Sequence, residues 1–418
     1  MKIALKMTGC KNNRYELDQI LSWAIKSKVP VVREEEADFC IVNTCTVTHV
    51  ADKKSRQMVR KTKNANPKLK TIVFGCGARM QKESFEEIGE VDYLMEDLPS
   101  VIGFLEEKIN DKTRRRAIDC APSGMEFNDF SRSRALVQVQ DGCDNFCTYC
   151  IIVSARGRSR NRPLDEIIDE INKHVKNGYN EVVLTGINIG AYGASSTTKP
   201  EESKFAELLR TILDKTDIKR IRISSLGPEY FSDELYKVLK NPRICRHIHL
   251  SIQSGSSSVL KRMKRQYDAK DTEKVVNRLK NDISGIAITT DIIVGFPEES
   301  DEEFKETLDF VKKNPLAKAH VFPYSVRKNT LAAKMEQVPD EVKKERAKKL
   351  QKLADRQRED FIKSQTLPTG RQVGKKVSVL WESENEGLTD NYIRVQKKGD
   401  HEVRSITIEK LTEKMILK

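Results

Sequence analysis

Apolar positions in this chain alternate between two rhythms: short apolar runs, and longer stretches in which apolar residues return every three or four positions. Runs at 2–7, 38–43 and 71–74 read as strands, and the stretches 15–25 and 48–61 read as amphipathic helices. Repeated strand-loop-helix units imply a parallel sheet, so residues 1–117 are predicted to form an α/β domain that closes at the basic run Arg114-Arg115-Arg116. After a polar connector, strand candidates at 135–140, 181–185, 220–224, 247–252, 288–294 and 319–323 alternate with helical patterns. Six such units predict a parallel (β/α)6 partial barrel over 129–360, with its site at the C-terminal ends of the strands. A highly charged helix is predicted at 340–364. Short strands at 375–381, 392–396, 402–408 and 412–417 then predict a small antiparallel β-barrel over 366–418, an architecture often used to bind nucleic acid.

Composition narrows the setting. The longest apolar run, Tyr149 to Val153, is five residues, against about 20 for a membrane span, so no membrane partner is expected. Residues 1–16 carry lysines and polar groups where a secretory signal would place its apolar core, and a cytoplasmic home is expected. Lys and Arg number 75 against 62 Asp and Glu, a net charge of +13. That excess suits a polyanionic partner and says nothing about fold.

Nine cysteines in such a chain point to thiolate or metal chemistry rather than a disulfide framework. Cys143, Cys147 and Cys150 form C-x3-C-x2-C directly after the first barrel strand. Zinc usually takes four ligands in paired C-x2-C units, whereas three thiolates on a short loop hold three irons of a 4Fe-4S cluster and leave the fourth open to a ligand. Cys10, Cys45 and Cys76 each follow a predicted strand, so their loops gather on one sheet edge. Their spacing leaves open whether they bind a group or are buried structural cysteines. Gly9, Gly75 and Gly77 would let the backbone pass close to a bulky cluster. Cys40, Cys120 and Cys245 are assigned to packing. Arg156, Arg158, Arg160 and Arg162 would share one face of an extended segment, for phosphate or carboxylate contact or as solvated surface. The same two readings, anion contact or solvated surface, apply to Lys261-Arg262 and Lys264-Arg265. His49, His249 and His320 lack metal-ligand spacing and read as structural.

Over nearly the whole chain the residues resemble the radical S-adenosylmethionine (SAM) tRNA methylthiotransferase family. The resemblance is carried by Thr8-Gly9-Cys10-Lys11, the segment Asn43 to Thr48, Asp52 to Gln57, Gly75-Cys76, Gly142 to Ile152 and Ala155-Arg156-Gly157. It continues through Leu184-Thr185-Gly186, Ser251 to Ser256 and Asp291 to Pro297. Val153 and Ser154 depart from it, standing where the family has Pro, and 366–372 looks like an insertion.

The resemblance implies two 4Fe-4S clusters, one on Cys10, Cys45 and Cys76 and one on Cys143, Cys147 and Cys150, with no catalytic side chain beyond them. It implies SAM held near Tyr149, Gly186, Asn188, Gln253, Ser254 and Gly295, Tyr149 packing on the adenine. The C-terminal strands would be a TRAM-like RNA-binding barrel, and an electron donor such as flavodoxin or ferredoxin is expected. The substrate implied by Thr46-Val47-Thr48 and 52–57 is the anticodon loop of tRNA, methylthiolated at C2 of N6-threonylcarbamoyladenosine at position 37. Arg156 is then the candidate partner of the threonyl carboxylate. Alternatives are an isopentenyladenosine tRNA, a ribosomal protein side chain, or a noncatalytic iron-sulfur RNA-binding protein.

Overall fold

The computed structural model describes residues 1–113, 133–366, 378–383, 385–397, 408–411 and 415–417. By its internal contacts the chain divides into two units. The basic run 114–116, Cys120 and the segment 367–372 lie outside the described residues.

The first unit takes residues 1–131, 150–158 and 325–327. Strands β1 (Ile3–Met7), β2 (Phe39–Thr44), β3 (Lys70–Gly75) and β4 (Tyr93–Leu94) pair in that order, all parallel, with Leu5 opposite Ile41 and Ile41 opposite Ile72. Its helices are α1 (Lys11–Lys26), α2 (His49–Ala65), α3 (Cys76–Met80), α4 (Lys82–Glu86), α5 (Leu98–Thr113) and α6 (Ile152–Arg156). Successive strand side chains point to opposite faces. Ile3, Leu5, Ile41 and Ile72 therefore pack with Leu17 and Ile20 of α1 and Leu105 of α5. Ala4, Cys40, Val42 and Val73 pack on the other side with Val59 of α2 and Phe85 of α4. Both faces are covered, which explains why these strands are almost continuously apolar. Cys40 is a core residue, as its sequence context predicts.

The second unit takes 132–149, 159–324 and 328–418. Parallel strands β5 (Arg134–Gln138), β8 (Glu181–Thr185) and β9 (Arg220–Ile223) form one sheet, and β10 (Ser225–Leu226), β11 (His247–Gln253), β12 (Ala287–Val294) and β13 (Lys318–Pro323) form the next. Only Ser224 separates β9 from β10, so six parallel strands follow one another in chain order, interrupted at that residue. A short antiparallel pair, β6 (Gln140–Asp141) with β7 (Arg160–Asn161), brackets the three-cysteine loop. The covering helices are α7 (Leu164–Lys176), α8 (Phe205–Lys215), α9 (Asp233–Leu239), α10 (Ser257–Arg262), α11 (Ala269–Asp282), α12 (Asp301–Lys313) and the long α13 (Asp340–Thr366). Ser300 and Asp268 start α12 and α11 with reciprocal capping boxes. Ile167, Leu208, Val276 and Leu308 from the helices meet Val137, Leu184, Leu250 and Ile292 from the strands in one core.

The C-terminal strands are β14 (Val379–Trp381), β15 (Glu386–Thr389), β16 (Arg394–Lys397), β17 (Ile408–Leu411) and β18 (Met415–Leu417). β14, β15 and β16 form an antiparallel meander, and β18 joins β16 in parallel. The sequence pattern misses β15, whose four residues include a glycine and present no period to read.

The turn between β15 and β16 docks on the N-terminal end of the barrel, around Glu181. This fully buried carboxylate takes a two-point bond from Arg222 (2.7 and 3.2 Å) and pairs with Arg220 at 2.9 Å. Arg222 also donates to the carbonyls of Thr389 and Asp390, each at 3.1 Å, and Tyr392 stacks on His247 with ring centres 4.1 Å apart. Cys245 is packed here, its thiol 3.7 Å from Glu181. Removing one member of a buried charge cluster leaves the others uncompensated. Glu181→Ala should therefore cost the second unit about 3 to 5 kcal/mol, read as an earlier thermal or urea midpoint, whereas an exposed Glu201→Ala should leave the midpoint in place.

Candidate metal centres and cofactor site

In the first unit the three early cysteines stand where the strands end. Cys10 precedes the first turn of α1, Cys45 follows β2, and Cys76 opens α3. Cys45 and Cys76 are buried and Cys10 is exposed. Burial first, with smaller contributions from Cys10, Glu16 and Cys45, pushes the Cys76 thiol up to about 12. Burial raises Cys45 as well, opposed by the Val47 N–H. Arg156 opposes the rise at Cys76: its Nε donates to the sulfur at 3.1 Å.

The rest of the Arg156 guanidinium donates to Glu16 Oε1 (3.0 Å) and Asn13 Oδ1 (2.9 Å). Asn13 in turn donates to the carbonyls of Thr8 and Thr44, and Asn43 donates to Glu16 at 2.6 Å. One polar network thus fixes the loops after β1 and β2 against α1. This corrects the reading of Arg156 as one of four arginines on an extended face. It ends helix α6, is buried, and is spoken for by a thiol and a carboxylate, so it is no partner for a substrate carboxylate. Arg160 and Arg162 bond elsewhere, to Asp141 and Glu170.

The glycines also serve differently from expectation. Gly9, at φ +106°, leaves room for Cys45, whose Cβ would stand 2.5 Å from a side chain there, and Gly75, at φ +96°, leaves room for Asn43. Gly77 makes way for Thr44 in the same manner. All three admit the neighbouring loops of the same sheet.

In the second unit, Cys143 and Cys147 follow β5 and β6. Burial raises the Cys143 thiol, opposed by the Asn145 N–H at 3.5 Å and by Thr197 at 3.8 Å. Cys147 is buried and accepts from Arg265 Nη1 at 3.2 Å. Cys150 falls in the segment grouped with the first unit. Two residues separate it from Cys147 in the chain, so three steps of extended chain limit their spread to about 10 Å. Among the described residues no three His, Cys, Asp or Glu side chains close on a point fit for one metal ion. A 4Fe-4S cluster distributes its thiolates over separate irons, so thiols that take N–H donors, Cys143 from Asn145 and Cys147 from Arg265, fit a cluster rather than a lone ion.

The residues expected around SAM follow the barrel strands. Tyr149 meets Phe296 edge-on at 6.2 Å. Gly186 leaves no room for a side chain beside Gln140 and Ile189, and Gly295 donates to Glu299 at 2.6 Å. Asn188 is buried and donates to the Tyr230 hydroxyl at 2.8 Å. Gln253 ends β11 at φ +67°, a strained conformation for a residue with a side chain. Ser254 is fully buried and shares a hydrogen bond with Thr307. Asn188 and Ser254 therefore shape the rim of the strands through their neighbours. His249 on β11 and His320 on β13 face each other across β12 with ring centres 6.4 Å apart, and His249 stands 3.4 Å from Asp291 of β12.

The comparisons with known proteins agree with this geometry. Residues 137–311 match the radical SAM superfamily, and residues 2–96 match the uncharacterized protein family UPF0004. The threonylcarbamoyladenosine tRNA methylthiotransferase of Bacillus subtilis is 36% identical over 100% of this chain and 94% of its own length. Its namesake from Thermotoga maritima is 34% identical over 99% and 96%. The tRNA-2-methylthio-N(6)-dimethylallyladenosine synthase of Clostridium tetani is 37% identical over 82% and 78%. Among solved structures, the radical SAM methyltransferase TsrM of Kitasatospora setae shares the fold with a TM-score of 0.59, at 13% identity over 80% of this chain and 77% of its own. A partial barrel of parallel strands with a three-cysteine loop after its first strand defines a radical SAM protein. This chain belongs to the tRNA methylthiotransferase family within that superfamily.

Sequence reasoning missed the role of Arg265, read only as part of a charge run for anion contact or solvated surface, and missed Glu229 and Thr197 altogether. Arg265 lies beside Cys147 and faces the buried Glu229 at 3.8 Å. A lone Arg in a charge run carries no sign of burial; only the fold brings it to the loop. Burial raises the Glu229 carboxyl, and Arg265 opposes this. A carboxyl held above its unfolded value favours the fold when protonated and loses that contribution as pH rises through the folded value. Arg265→Met, which removes the opposing charge, should therefore show a melting midpoint that falls more steeply than the wild type's as pH rises above the ordinary carboxylate range.

Proposed function

We propose that this protein is a threonylcarbamoyladenosine tRNA methylthiotransferase that modifies C2 of the adenosine at position 37 in the anticodon loop. The observation that carries the reading is the presence of two separate cysteine sets, each with its own buried arginine donating to a thiol, in a chain that matches the threonylcarbamoyl relatives from end to end. The reaction belongs to the transferases, uses SAM, and acts on tRNA.

An aromatic C–H bond yields to no side-chain acid or base at neutral pH; a 4Fe-4S cluster with SAM supplies, when bound, the one-electron chemistry required. Cys143, Cys147 and Cys150 would hold one cluster and leave an iron for SAM. Asn145 N–H and Arg265 stabilise negative charge on two of these sulfurs. Tyr149, Gly186, Asn188, Gln253, Ser254 and Gly295 shape the SAM site. Cys10, Cys45 and Cys76 would hold a second cluster, with Arg156 in the same role at Cys76. We assign these functions to a division of the chain at 1–117, 129–360 and 366–418, with a cytoplasmic location and a flavodoxin- or ferredoxin-type electron donor. The target base lies in a single-stranded loop, so it can be unstacked without opening a duplex. No described helix is long and apolar enough to cross a membrane.

The dimethylallyl relatives support a second substrate at similar identity. Competition between tRNAs bearing the threonylcarbamoyl and the isopentenyl groups, with nucleosides read by mass spectrometry, decides between them. The threonylcarbamoyl form should be consumed at least tenfold faster, and a preference for the other would reject this substrate. Changing Cys143, Cys147 and Cys150 together to Ala should halve the bound iron and abolish 5′-deoxyadenosine formation from SAM. The matching change at Cys10, Cys45 and Cys76 should also halve the iron, yet leave SAM cleavage in place while methylthio transfer disappears.

A further inference from the structure

The N-terminal end of the barrel encloses a cavity of about 200 Å³ that the function above leaves unused. Arg134 at the start of β5, Lys318 at the start of β13, Arg358 on α13 and Arg394 at the start of β16 line it, with Phe361 among its apolar wall residues. Cys143 and Cys147 follow the opposite end of β5, about 17 Å of strand away.

Arg134 and Arg394 share one partner, Glu382, at 2.5 and 2.9 Å. Among the described residues, Lys318 and Arg358 have no carboxylate partner and no acidic side chain lines the cavity. Burial, Arg358 and Arg394 all push the Lys318 ammonium down, so like charge is concentrated here. Partly desolvated cations held together are unfavourable alone and become favourable once an anion joins them. A guanidinium and an ammonium lining one space, Arg358 and Lys318, match a tetrahedral oxyanion, which offers several acceptor oxygens and more than one charge. The volume exceeds that of a few waters and leaves room for a group attached to the anion.

We propose that this cavity is a phosphate-binding site, distinct from the cysteine-bearing end, in which Lys318 and Arg358 hold the phosphate oxygens. The phosphate belongs either to a free phosphate compound or to an RNA backbone, and the two sources separate experimentally.

The test is calorimetric titration of the full chain with sodium pyrophosphate at ionic strength held constant with sodium chloride. Saturable binding is expected, at least tenfold weaker in the Lys318→Met/Arg358→Met double variant and unchanged in Lys261→Met, which alters exposed charge elsewhere. Single-stranded RNA that displaces pyrophosphate, or that binds alone in a Lys318-dependent way, assigns the phosphate to a backbone. Pyrophosphate that stays bound in its presence assigns it to a free compound. No saturable binding of either probe, or equal affinity in the double variant, overturns the site. Removing unpaired cations should not lower the melting midpoint of the unliganded protein, and pyrophosphate should raise the midpoint of wild type but not of the double variant. If the double variant melts early, Lys318→Gln alone is put through the same comparison, with circular dichroism as the check on folding.

Discussion

A thiol removed from water resists ionisation, and a cysteine meant to bind metal must ionise. That conflict governs the arrangement of both cysteine sets. Each lies at the C-terminal ends of parallel strands, where converging loops bury part of the set, and each recruits a largely buried guanidinium. Arg156 reaches Cys76, and Arg265 reaches Cys147. Neither arginine is left with sulfur alone. Arg156 also pairs with Glu16, and Arg265 faces Glu229. A carboxylate behind the arginine offsets its burial while the bond to sulfur remains, so the positive charge survives in a place where an isolated one would be costly.

The same reasoning explains why Arg156 is fixed so firmly by backbone contacts. Asn13, which accepts from Arg156, also donates to the carbonyls after β1 and β2, so the charge network and the loop geometry are one structure. A change of loop conformation would uncouple the guanidinium from the thiol. At the N-terminal end of the barrel, Glu181 plays the analogous part for the C-terminal strands. Arg220 and Arg222 reach past it to the carbonyls of 388–390, so the C-terminal meander closes over charges already paired within the barrel. These strands are therefore bound into the second unit by its own buried charge.

Periodicity made the strands legible. The six barrel runs lie within a residue or two of the observed strands because each is buried by helices on one side and must be apolar at fixed positions. Cysteine spacing on a single loop is a local signal as well, since C-x3-C-x2-C needs no fold to bring its members near one another. Cys10, Cys45 and Cys76 are far apart in sequence, and their meeting follows from parallel topology, which the strand-loop-helix repeat already contained. What the sequence concealed is long-range pairing of charge. Arg156 looked like one of a row and Arg265 like part of a charge run, because nothing in a neighbouring residue records that a side chain will be buried against a thiol 80 or 118 positions away. The short strand β15 was concealed for a different reason: four residues with an internal glycine carry too little period to distinguish a strand from a turn.

Charge is consequently distributed by place and not by amount. The net +13 resides in many side chains that are already paired, and the residues that matter to an anionic ligand are those whose pairing is incomplete. Within the barrel unit, the cationic side chain nearest a cysteine is compensated twice, by sulfur and by Glu229, which leaves it little attraction for a passing phosphate. Among the described residues, Lys318 and Arg358, at the opposite end of the strands, are compensated by neither a carboxylate nor a thiol. Buried acids stand behind the arginines at the thiols and anchor the C-terminal strands, while Lys318 and Arg358 at the N-terminal end of the barrel have none among the described residues, so the proposed anion site and the proposed cluster site occupy different ends of the same strands.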